Sequence, residues 1–195
     1  FEKYVKVARL AGLTPVSAET ELTAIARSLS PDKGVSLLLD LGSSATDMSI
    51  IKDTKVVFTR SIPVAGEAFT RAVSQGLGIT PQQAEEYKKT YGLSSNQLEG
   101  KVKAALEPVF RMVIDEIKKA VHFYQTEEKG DTPTSVVITG GASVMPDIVP
   151  FLTENLGIET VVGDPFSKIT IDPETAKSLA PYSSIYGTAV GLAMR

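Results

Sequence analysis

The sequence predicts a mixed α/β fold, a sheet with helices packed on it, in which part of the sheet is a meander and part is joined through helices. Three observations predict it. Three short strand-like runs follow one another between residues 36 and 62. Helical periodicity then fills most of residues 66–125. After that, strand, helix, strand and helix alternate to the end of the chain. With 195 residues, 43% hydrophobic and 22% charged, the chain has ordinary globular composition and enough length to bury a core.

Residues 1–12 read as an amphipathic helix with Tyr4, Val7, Ala8 and Ala11 on one face and Gly12 as its C-terminal cap. "TPVSAE" reads as a short strand, and "ELTAIARSLS" as a helix stopped by Pro31. Strands are expected over Ser36 to Leu41, Thr46 to Ile51 and Val56 to Ile62, the last two joined by a hairpin turn at residues 52–55. Gly66 opens a helix that ends at Gly78. Thr80 caps the next one, with Pro81 at its first position and Gly92 closing it. A long helix is expected from about Gln97 to Gln125, on the apolar stripe Val102, Leu106, Val109, Val113, Ile117, Ala120 and Tyr124. "SVVITGG" is a buried strand running into a double glycine, Met145 to Asn155 a helix entered through Pro146, "IETVVG" a strand and "YSSIYGTAVGLAMR" a small-residue-rich helix.

Composition narrows the chemistry. A net charge of −3 favours neither nucleic acid nor an anionic membrane. The absence of cysteine excludes disulfides and thiolate metal sites. No apolar run approaches the roughly 18 residues of a membrane helix, and the first residues do not read as a signal peptide. The chain opens on Phe1 as if inside a helix, which predicts a piece of a longer protein.

Three stretches carry candidate chemistry. In "LLLDLGSSATDMSI", Asp40 ends an apolar run, a small-residue turn follows, and Asp47 opens the next strand. Strand–turn–strand is the wrong context for a Walker loop or a dinucleotide fingerprint. Such a turn can still aim consecutive backbone N–H groups at an anion, with Asp40 holding magnesium through water. In "ITGGASVMPDI", Gly140 and Gly141 let the backbone approach a flat ligand, because no Cβ intervenes. In "AEEYKK", Glu85 and Lys88 share a helical face and are placed to grip ribose hydroxyls and a base edge. Taken singly, these are also a capped turn, a tight strand-to-helix turn and a surface ion pair. Their joint order carries the functional reading.

That order resembles the second half of the actin-like ATPases, the superfamily of sugar kinases, heat-shock chaperones and the bacterial FtsA and PilM proteins. "LLLDLGSSATDMSI" is similar to the second phosphate motif, and "VVITGGASVMPDIVPFL" to the adenosine motif. "FTRSIPVAGEAFTRAVSQGLGI" and "AEEYKKTYGL" follow FtsA and PilM wording, while "VVGDPFSKITID" and "YSSIYGTAVGLAMR" look like the PilM-type proteins of type IV pilus assembly. The resemblance implies an actin-like (ribonuclease H-like) fold, mainly the second domain at residues 34–195, with residues 1–33 a remnant of the first. It implies ATP and Mg2+ as cofactors, with Asp40 as the magnesium-linked acid. Gly42, Ser43, Ser44 and Thr46 would line the phosphates, and Gly66, Glu85 and Lys88 the ribose and nucleoside. Gly140, Gly141, Ala142 and Met145 would border the adenine.

"SAETELTAIARSL" resembles the chaperones' connecting helix and places a catalytic glutamate at Glu19, whose ordinary reading is a solvent-facing acid at a helix entry. The family's first phosphate loop is expected upstream of Phe1, and Ala65-Gly66 stands where relatives carry a double glycine. The implied function is an ATP-binding cytoplasmic scaffold, peripheral at the inner membrane, docking the short cytoplasmic tail of a PilN-like partner. Binding is implied more firmly than hydrolysis, and self-association stays open. An FtsA-like division protein, a kinase of the superfamily and a nucleotide-free interaction domain are the alternatives. His122, the only histidine, has no second ligand beside it. Phe110, Phe123 and Tyr124 read as core, and Lys118, Lys119, Glu127 and Glu128 as solvated surface.

Overall fold

The computed structural model describes residues 2–195. Phe1, the first residue of the expected helix at 1–12, lies outside the described residues. Five strands form one sheet in the order β3-β2-β1-β4-β5: β1 Val35–Leu41, β2 Thr46–Lys52, β3 Lys55–Ile62, β4 Ser135–Thr139 and β5 Thr160–Val162. The meander β1-β2-β3 is antiparallel, with a register shift at Ile50/Ile51, whereas β4 and β5 run parallel to β1. The β2–β3 turn places Asp53 and Thr54 at φ 48° and 69°, the paired positive φ of a two-residue hairpin. Asp53 helps at this corner by accepting a hydrogen bond from the Gly34 N–H at 3.0 Å.

The central strand β1 is buried on both faces, and its alternation sorts the two layers. Leu37, Leu39 and Leu41 face a large core with α3 (Gly66–Leu77), α5 (Lys101–Thr126) and α6 (Ile148–Leu156), in which Phe69 and Phe110 stack at 4.2 Å. Leu38 faces the other way, against Ile25, Ala26 and Leu29 of α2 (Glu21–Leu29). The same face carries α8 (Gly187–Ala193), and Gly191 lets α8 come into backbone contact with Ala24 of α2. Caps end the elements where the sequence signals them. Thr20 caps α2, Gly78 closes α3 at φ 66°, and Thr80 with Gln83 forms a capping box on α4 (Pro81–Tyr91).

Several expectations need correction. Residues 14–19 form no strand. The helix at the start, α1 (Glu2–Leu10), has the expected amphipathic pattern but buries none of it, with Tyr4 82% exposed. The long helix starts at Lys101, because Leu98, Glu99 and Gly100 all take positive φ just before it. Turns occupy residues 140–147 and delay α6 to Ile148, since Asp147 sits at φ 59° and breaks helical continuity. A helix with ordinary signals, α7 (Pro173–Leu179), is capped by Asp172, and only the last part of the expected C-terminal helix is α-helical, after a tighter helix at Ala180–Tyr186. Phe123 is half exposed rather than core, although Phe110 and Tyr124 are buried as expected. No helix among the described residues is long and apolar enough to cross a membrane.

Candidate functional site

In open α/β sheets the crevice beyond the carboxyl ends of parallel strands is where ligands sit. Here β1 and β4 are parallel neighbours, and each ends in a glycine turn. The first turn, residues 42–45, is closed by the Gly42 N–H donating to the Ala45 carbonyl at 3.2 Å. Its carbonyls then serve the next helix: Gly66 N–H donates to Gly42 O at 3.1 Å and Glu67 N–H to Ser43 O at 2.8 Å. Two orphan donors of α3 are thus satisfied by the turn itself. The approach is close, since a Cβ on Gly66 would lie 3.1 Å from Gly42 O. Ala65 has extended backbone, φ −163° and ψ −147°, so the position needs no second glycine. Thr46 is fully buried, and its hydroxyl donates to Val64 O at 2.8 Å, so it braces the loop under the turn. Ser44 donates to Glu67 Oε1 at 3.3 Å.

The second turn is pinned from both sides. Ala142 N–H donates to Leu41 O at 3.1 Å, stitching it to the end of β1, and Gly140 N–H donates to Ser184 O at 3.1 Å. Gly140 takes φ 87°, and a Cβ there would collide with the Asp40 carboxylate and lie 2.7 Å from Leu41 O. At Gly141, by contrast, a Cβ would meet open space.

The third element is a small polar network between α3 and α4. Lys88 is only 6% exposed, which rules out the surface-pair reading for it. Its ammonium donates to Glu85 Oε2 at 2.6 Å, Thr70 Oγ1 at 2.8 Å and Gly66 O at 3.2 Å, so all its protons are used inside the protein. Burial pushes the Glu85 carboxyl up, but hydrogen bonds from Lys88 and Thr70 and the Lys88 charge outweigh it, leaving Glu85 at about 2.

These three elements enclose a cleft of about 650 Å³. Of the residues expected from sequence, Gly42, Ser43, Gly66, Glu85, Lys88, Gly141, Ala142 and Met145 line it. Asp40, Ser44, Thr46, Gly140 and Glu19 do not. Sequence reasoning missed Glu67, Thr70, Arg71 and Ser74, although their spacing along α3 is the polar stripe of a helix face turned to a cleft.

Asp40 lies at the seam of the two turns, paired in register with Asp47 on one side and Thr139 on the other. Burial, then the negative charges of Asp47 and Glu21, push it up to about 6. Among the described residues no group of three or more His, Cys, Asp or Glu could hold a metal, so a cation here would have at most two such protein ligands and rely on water and ligand oxygens. Glu19 is not solvent-facing. Its two oxygens accept from Arg27 at 2.9 and 2.6 Å, Arg195 lies 3.5 Å away, and the Arg27 hydrogen bonds hold it below the usual carboxylate range.

Comparison with known proteins agrees with this architecture. The family model described as "Type IV pilus assembly protein PilM" matches residues 4–195. Cell division protein FtsA of Pseudomonas aeruginosa is 28% identical over 178 residues, covering 80% of this chain and 41% of its own. A solved PilM-PilN type IV pilus biogenesis complex superposes on 100% of this chain and 56% of that one, at a TM-score of 0.81 and 25% identity. MreB5 of Spiroplasma citri bound to AMPPNP shares the fold, with a TM-score of 0.75 at 19% identity over 99% of this chain and 62% of its own. The fold is that of the actin-like ATPases, and the chain spans about two fifths of the length of its FtsA relative.

Proposed function

The chain belongs to the PilM family of type IV pilus assembly proteins, and we propose that its cleft is one wall of a seat for ATP with magnesium in a pilus-assembly scaffold. The observation that carries the reading is the cleft itself. It lies at the carboxyl ends of two parallel strands, is walled by two glycine turns, and has the volume of a small-molecule site.

The residues present fit the ligand. Gly42 and Ser43 would meet phosphates, with Ser44, Thr46 and Gly66 fixing the turn behind them. Asp40 would hold magnesium through water, and the ion would neutralise phosphate charge. Gly141, Ala142 and Met145 would border the adenine, with Gly140 making their approach possible. Glu85 and Lys88 would shape the nucleoside side mainly by locking α4 to α3. Glu19 is clamped by Arg27 and is assigned no part in hydrolysis.

On this reading residues 1–33 belong to the first actin-like domain, with α2 anchoring it to the sheet, and ATP binds between the domains. Similarity to a solved PilM-PilN complex supports a PilN-like partner. Its short cytoplasmic tail would hold the scaffold in the cytoplasm at the inner membrane. Lys88, with every proton spent, favours a second reading in which the fold is kept and the ligand lost. Calorimetry of ATP with magnesium on the full-length protein decides between them. Binding that disappears in Asp40→Ala supports the seat, and no binding by the wild type supports the second reading.

A further inference from the structure

The cleft has three basic side chains, and they are not equivalent. Lys88 is buried and fully hydrogen-bonded within the α3–α4 network. Lys89 is ion-paired with Glu85 at 3.3 Å. Arg71 lines the cleft, is exposed, and has no ion-pair or hydrogen-bond partner among the described residues. Its natural helical partner would be Glu67, one turn earlier, but that carboxylate accepts from Ser44 instead. Side chains on a helix lean toward its N-terminus. The N-terminus of α3 is the end bonded to the Gly42–Ser43 turn, so the Cα–Cβ bond of Arg71 tilts toward that turn, and its charge is uncompensated.

We infer that Arg71 is the cation that pairs with the phosphates of the bound nucleotide, and that Lys88 is a structural tie between α3 and α4. This rests on the nucleotide reading of the cleft. A guanidinium presents a fixed fork of donors to phosphate oxygens, and charge-assisted bonds of this kind are the strong ones.

The test is titration of ADP with magnesium into the full-length wild type, Arg71→Ala and Arg71→Lys, each at two salt concentrations. The expected result for Arg71→Ala is affinity weaker by roughly ten- to a hundredfold, a smaller dependence on salt, and an unmoved melting midpoint. Arg71→Lys should fall between it and wild type, since it keeps the charge and loses the fork. Unchanged affinity in Arg71→Ala, or a loss with unchanged salt dependence, overturns the assignment while leaving the nucleotide seat standing. A wild type that binds no ADP overturns both.

Discussion

The two glycine turns stand side by side at the ends of parallel strands, yet glycine serves a different purpose in each. In the first, Gly42 permits a close approach, with a Cβ 3.0 Å from Ala45 O, and the turn's carbonyls cap α3. In the second, Gly140 is demanded by conformation as well as space, at φ 87° against Leu41 and Asp40, whereas the adjacent Gly141 is under neither constraint. One glycine of the pair therefore belongs to folding. The other fills no space that the fold requires and faces the cleft, where only an incoming ligand would feel a side chain.

Substitutions sharpen this contrast in descending size of effect. Gly140→Ala adds left-handed strain and a collision with Leu41 O, and should cost about 3 kcal/mol in urea unfolding. A cost below about 0.5 kcal/mol would mean the turn relaxes freely. Lys88→Met removes the charged donor shared by Glu85, Thr70 and Gly66 O, with Lys89 still paired to Glu85 and the Thr70 hydroxyl still bonded to it, for an expected loss of about 2 kcal/mol. The pH dependence should change with it. Glu85, depressed to about 2 from an ordinary 4.5, contributes stability that is present above pH 4.5 and lost as pH falls toward 2, and the variant should lose much of that slope.

Asp40 lies between the turns and works in the opposite sense. Its carboxyl keeps a proton up to about 6 in the fold but releases it near 3.8 when unfolded, so it favours the native state at low pH, and that contribution is lost as pH rises through 6. Asp40→Asn should thus stabilise the protein by about 1–2 kcal/mol at pH 8 while impairing ATP–magnesium binding. A destabilised variant would show that the charge is structural. The smallest effect on folding is expected for Gly141→Ala, within about 0.5 kcal/mol of wild type, with any change confined to nucleotide affinity.

Much of this was legible in the sequence because it depends on local signals. Thr80-Pro81, the glycines at 78 and 92, and the apolar run of β1 each specify an element through its own backbone. The two turns were legible for the same reason. What could not be read depends on packing between distant segments. Lys88 looks like a surface residue until α3 folds against α4. Glu19 looks like an exposed acid until Arg27 and Arg195 close on it. Thr46 looks like a phosphate contact until its hydroxyl is spent on Val64. The stripe of α1 is amphipathic in sequence, but none of its residues is buried, because pattern records a face and not what covers it. The late start of α6 turns on one non-glycine residue, Asp147, in a left-handed conformation that propensity disfavours.

The most direct test of the account is hydrogen exchange of the full-length protein with and without ATP and magnesium. Protection concentrated at residues 42–46, 66–74 and 140–145, with α5 and α7 unchanged, is the predicted result. Protection elsewhere, or none at saturating ATP, would contradict the claim that these turns seat a nucleotide.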